Sequence, residues 1–584
     1  MSVYLMPQPQ SMIVSSEAVP FDAEALHARI ACPAKDDRLL SCAKALFGSV
    51  SMENGGDGFC LCTGHAPSMP EAPDHPEGYA LVTQAQAVCI RAKTAHGLFY
   101  GMQTLRQLMQ SESFAAVTIV DWPDISLRSD YLDLRSIYPT FERLLYFMKE
   151  MAAYKFNTVV IEFENKLPFP NMQKLRSPQA LTQEQFELLK QVAHEHFLNI
   201  IPVQQSFGHL EYVLTLPEYR HLRETPDTPG EMCPLRPGAL ELAKALLSET
   251  AAMHPDEPYL HMGCDEVWSL GQSEECRQSG MSREEISLRF INQLAEHVCS
   301  LGKTPIIWHD MLQNASQELL AQLDKRILVA VWMYNHRWVL EQAEPMLKRL
   351  DAAGIAYIVC PAARSFEGRP WQSNPSAAGR MRNIDAWIRL SRLHPAKGFL
   401  NTNWAASFSF GRPYGLFETS RYTSVYSACR SWNTEASTTD YLERYLCVYH
   451  GIAYDPQSYD DCRRFDYYDV IGTLLDQVKR NPETAELIAL GEAYDIAAPV
   501  LCSAFRGSLH AGSEVEIACL RERAARDFVQ MDSVLRQMQQ SVAPLLPPDM
   551  ARLYMASREY PYTLLRDDLA RILARQPDQS ETGT

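Results

Sequence analysis

Between residues 123 and 430 the chain alternates short apolar runs with stretches whose apolar positions recur every three or four residues. Eight of the runs have strand character: 131–134, 158–163, 199–203, 259–263, 304–308, 327–332, 356–360 and 398–402. Helical patterns separate most of them. Two helix starts are legible: Thr182 with Gln185, and Ser282 with Glu285, fit a capping box, in which side chains satisfy the first free backbone N–H groups. Eight strand–helix units in about 300 residues match an α/β fold, the (β/α)8 TIM barrel, whose reactive groups sit on loops after the carboxyl ends of the strands. A doubly wound open sheet suits the same order of elements, because closure leaves no local pattern.

The flanks read differently. Residues 1–122, ending at Trp122-Pro123, predict a small non-catalytic α/β domain in which the strand VCIRAK leads into a helix carrying Leu98, Met102, Leu105 and Leu108/Met109. From 431 to 584 the pattern predicts a C-terminal helical region: EIACLRERAARDFVQMDSVLRQMQQ has helical spacing, and Pro544, Pro547 and Pro548 end it. A chain of 584 residues has room for several cores.

Composition narrows the function. Hydrophobic residues make up 46% and charged residues 21%, which is ordinary for a globular chain. A net charge of −17 repels nucleic acid and anionic lipid, so neither is an expected partner. No run of about 18 uncharged apolar residues is present to span a bilayer, and the first residues lack a signal pattern. The expectation is a soluble, cytoplasmic protein. The 15 cysteines lack a framework, and Cys89 and Cys360, inside strand-like runs, read as reduced core thiols. Cys60 and Cys62 have no second pair or histidine at zinc spacing, so no metal is expected.

Chemistry enters at YLHMGCDEVW, where Asp265 and Glu266 end an apolar run. Strand alternation turns His261, Gly263 and Asp265 toward the barrel axis, and Glu266 must leave strand geometry to join Asp265 at the mouth. Two carboxylates in contact resist joint ionisation, so one can hold a proton as a general acid while the other stays an anion. Adjacent residues are poorly placed to flank a sugar ring at the separation of about 5 Å or more that two-carboxylate glycosidases use. A substrate that supplies its own nucleophile removes that difficulty. The dipeptide alone also suits a helix cap beside a solvated acid.

HMGCDEVW resembles the His-x-Gly-x-Asp-Glu signature of family 20 glycoside hydrolases, the β-N-acetylhexosaminidases, and falls on the fourth barrel strand as it does there. EGYALVTQAQAVCIRAKTAHGLFYGMQTLRQLM is similar to the family's amino-terminal domain, and SLRSDYLDLRS to its first barrel strand. IEFEN, IPVQQSFGHLE and GCDEVWSLG resemble the hexosaminidase D-type subgroup.

The resemblance implies an exo-acting retaining enzyme without a cofactor. Glu266 is then the acid and base, and Asp265 orients a substrate 2-acetamido group that attacks the anomeric carbon. It further implies that Arg128 holds sugar hydroxyls, and that His209 and His261 contact substrate or support the site. Trp308, Trp332 and Trp404 become aromatic walls, Tyr334 a hydroxyl for the acetamide, and Glu418 a partner for a sugar hydroxyl. The expected partner is a small-molecule or oligosaccharide/glycoconjugate substrate ending in an N-acetylhexosamine.

The chain departs from the family after strand two, where Glu162-Phe163-Glu164-Asn165 replaces His-x-x-Asp-Asp, and before the Gly-His, where Gln204 and Gln205 stand. Glu162 and Glu164 are candidates to replace the lost support, with Glu164 the expected site residue. Competing readings are a catalytically silent carbohydrate-binding barrel and a metal-dependent hydrolase using His209 and His261, although no compact ligand motif recommends the latter.

Overall fold

The apolar runs of the central segment pair in parallel and close into a ring. The computed structural model describes residues 3–450, apart from 21–25, 56–57, 64–67, 85–86, 111–112, 136–138, 140, 178–179, 366–374 and 406–416, then 514–544 and isolated positions beyond. Seven strands precede the ring: β1 (Ser11–Pro20), β2 (His27–Cys32), β3 (Ser49–Asn54), β4 (Phe59–Thr63), β5 (Tyr79–Gln84), β6 (Ala87–Ala92) and β7 (Ser113–Asp121). They form one sheet in the order β1-β7-β5-β6-β4-β2-β3. The helix Ala95–Leu108 lies against β5 and β6, its start capped by the Thr94 side chain, which accepts the Gly97 N–H. Leu98, Met102, Leu105 and Leu108 are buried, as their spacing requires.

One expectation is overturned in this sheet. Cys89 is not a reduced thiol: it is disulfide-bonded to Cys62, its direct partner across β4 and β6, with Cα atoms 4.3 Å apart. The two are 27 residues apart in sequence, and only the register makes them neighbours. The Cys60 sulfur lies 3.3 Å from that of Cys62. Cys360 is a buried free thiol, as expected.

The ring comprises β8 (Arg128–Asp133), β9 (Thr158–Glu162), β10 (Asn199–Val203), β11 (Tyr259–His261), β12 (Thr304–Trp308), β13 (Leu328–Trp332), β14 (Tyr357–Cys360) and β16 (Phe399–Asn403), with the short β15 (Ala362–Arg364) alongside β16. Pairing of β14 with β16, and of β16 with β8, closes it. The open sheet is thereby excluded.

Side-chain parity is consistent around the ring. Tyr131, Val160, Ile201, Ile306, Leu328, Ile358 and Leu400 fill the axis, while Leu132, Val159, Ile200, Ile307, Val329 and Phe399 pack outward against the helices. Both capping boxes are present, at Thr182/Gln185 and Ser282/Glu285.

A buried polar network joins the first sheet to the amino end of the barrel. Lys155 donates to Asp121 and to the Tyr79 hydroxyl, each at 2.8 Å, and the Trp432 indole donates to Asp121 at 2.8 Å. The helix Arg421–Trp432, which carries Trp432, follows the barrel, and Tyr441–His450 follows it. The stretch from Glu514 is helical through Val542, as its spacing predicts; 451–513 lies outside the described residues. Among the described residues no helix is long and apolar enough to cross a membrane.

Candidate active site

Strand β11 ends at His261, two residues earlier than alternation predicts. Gly263, Cys264 and Glu266 then adopt left-handed backbone, with φ of 69°, 68° and 53°. This turn, rather than strand parity, carries Asp265 to the mouth. Left-handed conformations at non-glycine residues cost roughly 1–3 kcal/mol each and persist only where the surroundings enforce them. The enforcement is close packing: a Cβ on Gly208 would sit 2.1 Å from the Asp265 carbonyl oxygen, and one on Gly263 would sit 1.8 Å from Gln205 Oε1. The Glu266 N–H donates to Asp310 Oδ2 at 2.8 Å, and its carbonyl accepts the Trp268 N–H at 3.0 Å.

His209 spans the two acids. Its Nε2 lies 3.3 Å from Asp265 Oδ2 and 3.4 Å from Glu266 Oε2. Burial opposes its charge, but Asp265 and Glu266 overcome it and hold the imidazolium well above the ordinary histidine range. Burial likewise works against the Asp265 anion, yet His209, and then Arg135, keep it below its ordinary value. The Glu266 side chain is 31% exposed, against 9% for Asp265, so Glu266 is the acid more open to a ligand.

His261 faces the axis, as its parity predicts, with its ring 4.4 Å from that of Trp308. Its Nδ1 accepts the Gly263 N–H at 3.0 Å, and burial pulls its pKa down to about 3, so it is a neutral group propping the start of the turn. It supports the site from below.

Two of the tryptophans, Trp332 and Trp404, are partly buried above the axial core, whereas Trp308 is fully buried within it, beside Tyr131. Trp404 lies 5.6 Å from Trp308 and 4.8 Å from Tyr131, and its indole donates to the Tyr334 hydroxyl at 2.7 Å. Trp332 stacks on Tyr334 at 5.2 Å. Tyr131 is a member of this box that motif matching misses, although its place on β8 signals an axial position.

Arg128 does not reach the mouth. It opens β8 at the amino end of the barrel, shares parity with the outward Leu132, and is fully buried. Its guanidinium binds Glu77 at 2.5 Å and the carbonyls of Ile125 and Lys155 at 2.7 and 2.9 Å. The arginine at the mouth is Arg135, two residues beyond the other end of the same strand. It pairs with Asp133 at 2.9 Å and Glu162 at 3.3 Å and stacks 5.2 Å over Trp404.

Of the two substitute glutamates, Glu162 shares axial parity with Val160. It accepts from the Tyr131 hydroxyl at 2.7 Å and from Gln205 at 2.9 Å. Glu164 opens the turn Glu164–Lys166, buried, with its carboxyl raised well above the ordinary range by burial and by the neighbouring charge of Glu162. Support for the acids thus runs through Glu162, Gln205 and Arg135. Glu418 falls in the turn Phe417–Ser420, with its side chain outside the described residues.

Residues 2–122 match glycosyl hydrolase family 20, domain 2, and residues 127–397 match the glycosyl hydrolase family 20 catalytic domain. Hexosaminidase D of Bos taurus is 26% identical over 292 residues, covering 48% of this chain and 84% of that protein. Hexosaminidase D of Homo sapiens is 27% identical over 292 residues, covering 48% of this chain and 60% of that one. Among solved structures, the β-N-acetylhexosaminidase of Bacteroides fragilis NCTC 9343 superimposes with a TM-score of 0.59 at 15% identity, covering 79% of this chain and 96% of that chain. The N-acetyl-β-hexosaminidase of Streptomyces plicatus gives 0.58 at 18% identity, covering 75% and 93%. At such identities the superpositions speak for the fold, and the two adjoining family matches, the second holding the paired acids, speak for the lineage: the chain belongs to glycosyl hydrolase family 20 and is a glycoside hydrolase.

Proposed function

We propose that the protein is an exo-acting, retaining β-N-acetylhexosaminidase that removes terminal GlcNAc or GalNAc by substrate-assisted catalysis. The observation that carries this reading is the placement of Asp265 and Glu266 on consecutive residues, bridged on one side by His209, at the mouth that holds the aromatic box. Consecutive carboxylates approach a sugar from one side. They cannot serve as acid and nucleophile on opposite faces, so the nucleophile comes from the sugar itself.

Asp265, kept anionic by His209, accepts the acetamide N–H and stabilises the positive charge that develops as the acetamide oxygen attacks the anomeric carbon. Glu266 protonates the departing oxygen, and as a carboxylate it then takes a proton from the water that opens the ring intermediate. Trp332 and Trp404 offer apolar area to the pyranose C–H groups and the acetamide methyl, with the buried Trp308 packed behind Trp404. Tyr334 and Arg135 supply donors to the acetamide oxygen and the sugar hydroxyls, respectively.

The test compares aryl β-N-acetylglucosaminide and aryl β-N-acetylgalactosaminide with the aryl β-glucoside. The proposal expects turnover of the first two and almost none of the third, which lacks the acetamide. Equal rates on all three, or a trapped sugar ester on the protein, would sink it. No turnover of any of them, with binding of N-acetylglucosamine, would favour a silent carbohydrate-binding barrel.

A further inference from the structure

A third carboxyl group stands at the catalytic turn. Asp310, two residues beyond β12, opens the turn Asp310–Leu312 and comes from a different strand-to-helix loop than the paired acids. Its Oδ2 accepts the Glu266 N–H at 2.8 Å, and its Oδ1 is buried without a protein partner. The contact falls on the residue whose left-handed backbone aims the acid, so Asp310 helps to fix the direction of the Glu266 side chain.

We propose that Asp310 is a positioning residue for Glu266 that also shares with Asp265 and Glu266 the proton Glu266 delivers to the leaving group. This rests on the hexosaminidase reading for the use of the proton, though not for its presence.

The groups around Asp310 define the electrostatics. The turn after β11 brings the Cys264 thiol, Asp265 and Glu266, and the loop after β10 brings His209 behind the two acids. His309, next in chain, is pulled down to about 3 by burial and is uncharged. The helix Arg283–Ser300 packs against the turn of Asp310, and its Arg283 donates to the Val267 carbonyl. The nearby imidazolium bridges Asp265 and Glu266, and the Asp310 Oδ1 is left without a hydrogen-bond partner. Burial, reinforced by the charge of Asp265, pushes the Asp310 carboxyl up to about 8. Titrations this closely linked belong to the group of acids, which retains one proton through neutral pH.

Asp310→Asn keeps an oxygen to accept the Glu266 N–H but removes the ionisable partner. With that ionisable group gone, the alkaline limb of kcat/KM moves down by about one pH unit. Asp310→Ala also loses the acceptor, and kcat falls by roughly a further tenfold. Difference acid–base titration reads the proton without turnover: between roughly pH 7 and 9 the wild type releases about one proton more than folded Asp310→Asn. Equal release overturns the proposal, as does an alkaline limb that stays in place or moves upward. A wild type that cleaves no N-acetylhexosaminide would overturn the functional reading instead, and the titration would still decide the role of Asp310.

Discussion

The imidazole of His209 and the carboxylate of Asp265 meet at 3.3 Å in a setting where neither is more than a tenth exposed. Each fixes the charge of the other. Replacing His209 with Gln leaves Asp265 buried without its main counter-charge, so its pKa rises and the acid limb of kcat/KM moves toward neutral pH by about one unit or more. The pair also contributes to stability. A histidine whose pKa is raised by folding stabilises fully below its unfolded value, about 6.5, and loses that contribution as pH climbs through the raised value. An aspartate held low stabilises above its unfolded value, about 3.9, and loses its contribution as pH falls through the lowered one. The stability difference between wild type and His209→Gln is therefore greatest between about pH 4 and 6.5, and denaturant melts across pH would measure it.

Glu266→Gln should lower kcat by about 10²–10⁴-fold on substrates with poor leaving groups, and far less on activated aryl glycosides, whose departure needs little protonation. Asp265→Asn should impair both kinds of substrate, because on either one the acetamide oxygen must displace the leaving group from the anomeric carbon. Parallel kinetics on an aryl substrate and a disaccharide separate the two patterns. Wild-type rates in both variants would withdraw the assigned roles.

Two buried arginines at opposite ends of one strand should differ in their effect on kinetics. Arg128→Met breaks a buried pair with Glu77 and should cost about 3–5 kcal/mol of stability while leaving KM near its wild-type value. Arg135→Met breaks buried pairs with Asp133 and Glu162, so it should cost a comparable amount of stability, and beside Trp404 it should also raise KM or depress kcat in the folded fraction. Thermal melts and steady-state kinetics on the same samples decide between them.

Gly208→Ala tests the crowding that shapes the catalytic turn. The added carbon would overlap the Asp265 carbonyl oxygen, and a displacement of about 1 Å in the acids is enough to cost on the order of 10² in kcat. Substrate binding through the aromatic box should suffer less, so competitive inhibition by N-acetylglucosamine should persist.

Much of the barrel was legible because its strands are short apolar runs with clear ends: 199–203 and 304–308 coincide with β10 and β12. The ends that alternation misjudges are those set by packing. His261 closes β11 early because Gly263 and Cys264 turn left-handed against Gln205 and Ser206, a contact between loops that no local pattern carries. Parity argues against Arg128 at the mouth, since it alternates with the axial Tyr131; Arg135, in the same motif, lies at the reactive end of that strand. The same counting favours Glu162 over Glu164, because Val160 points to the axis. The Cys62–Cys89 bond and the placement of His209 between the acids depend on register and on neighbouring loops, so residue spacing could not supply them.

Because Asp265 and Glu266 are successive links of one turn, no hinge or sliding strand can change the gap between them. An enzyme whose two acids ride on separate strands can alter its reach by moving one strand against the other. Here the acids travel as a single body, and new substrates are admitted only by remodelling the facing indole wall or the loops above it. Diversification of this scaffold is thereby confined to one side of the cleft, with the reacting groups held constant.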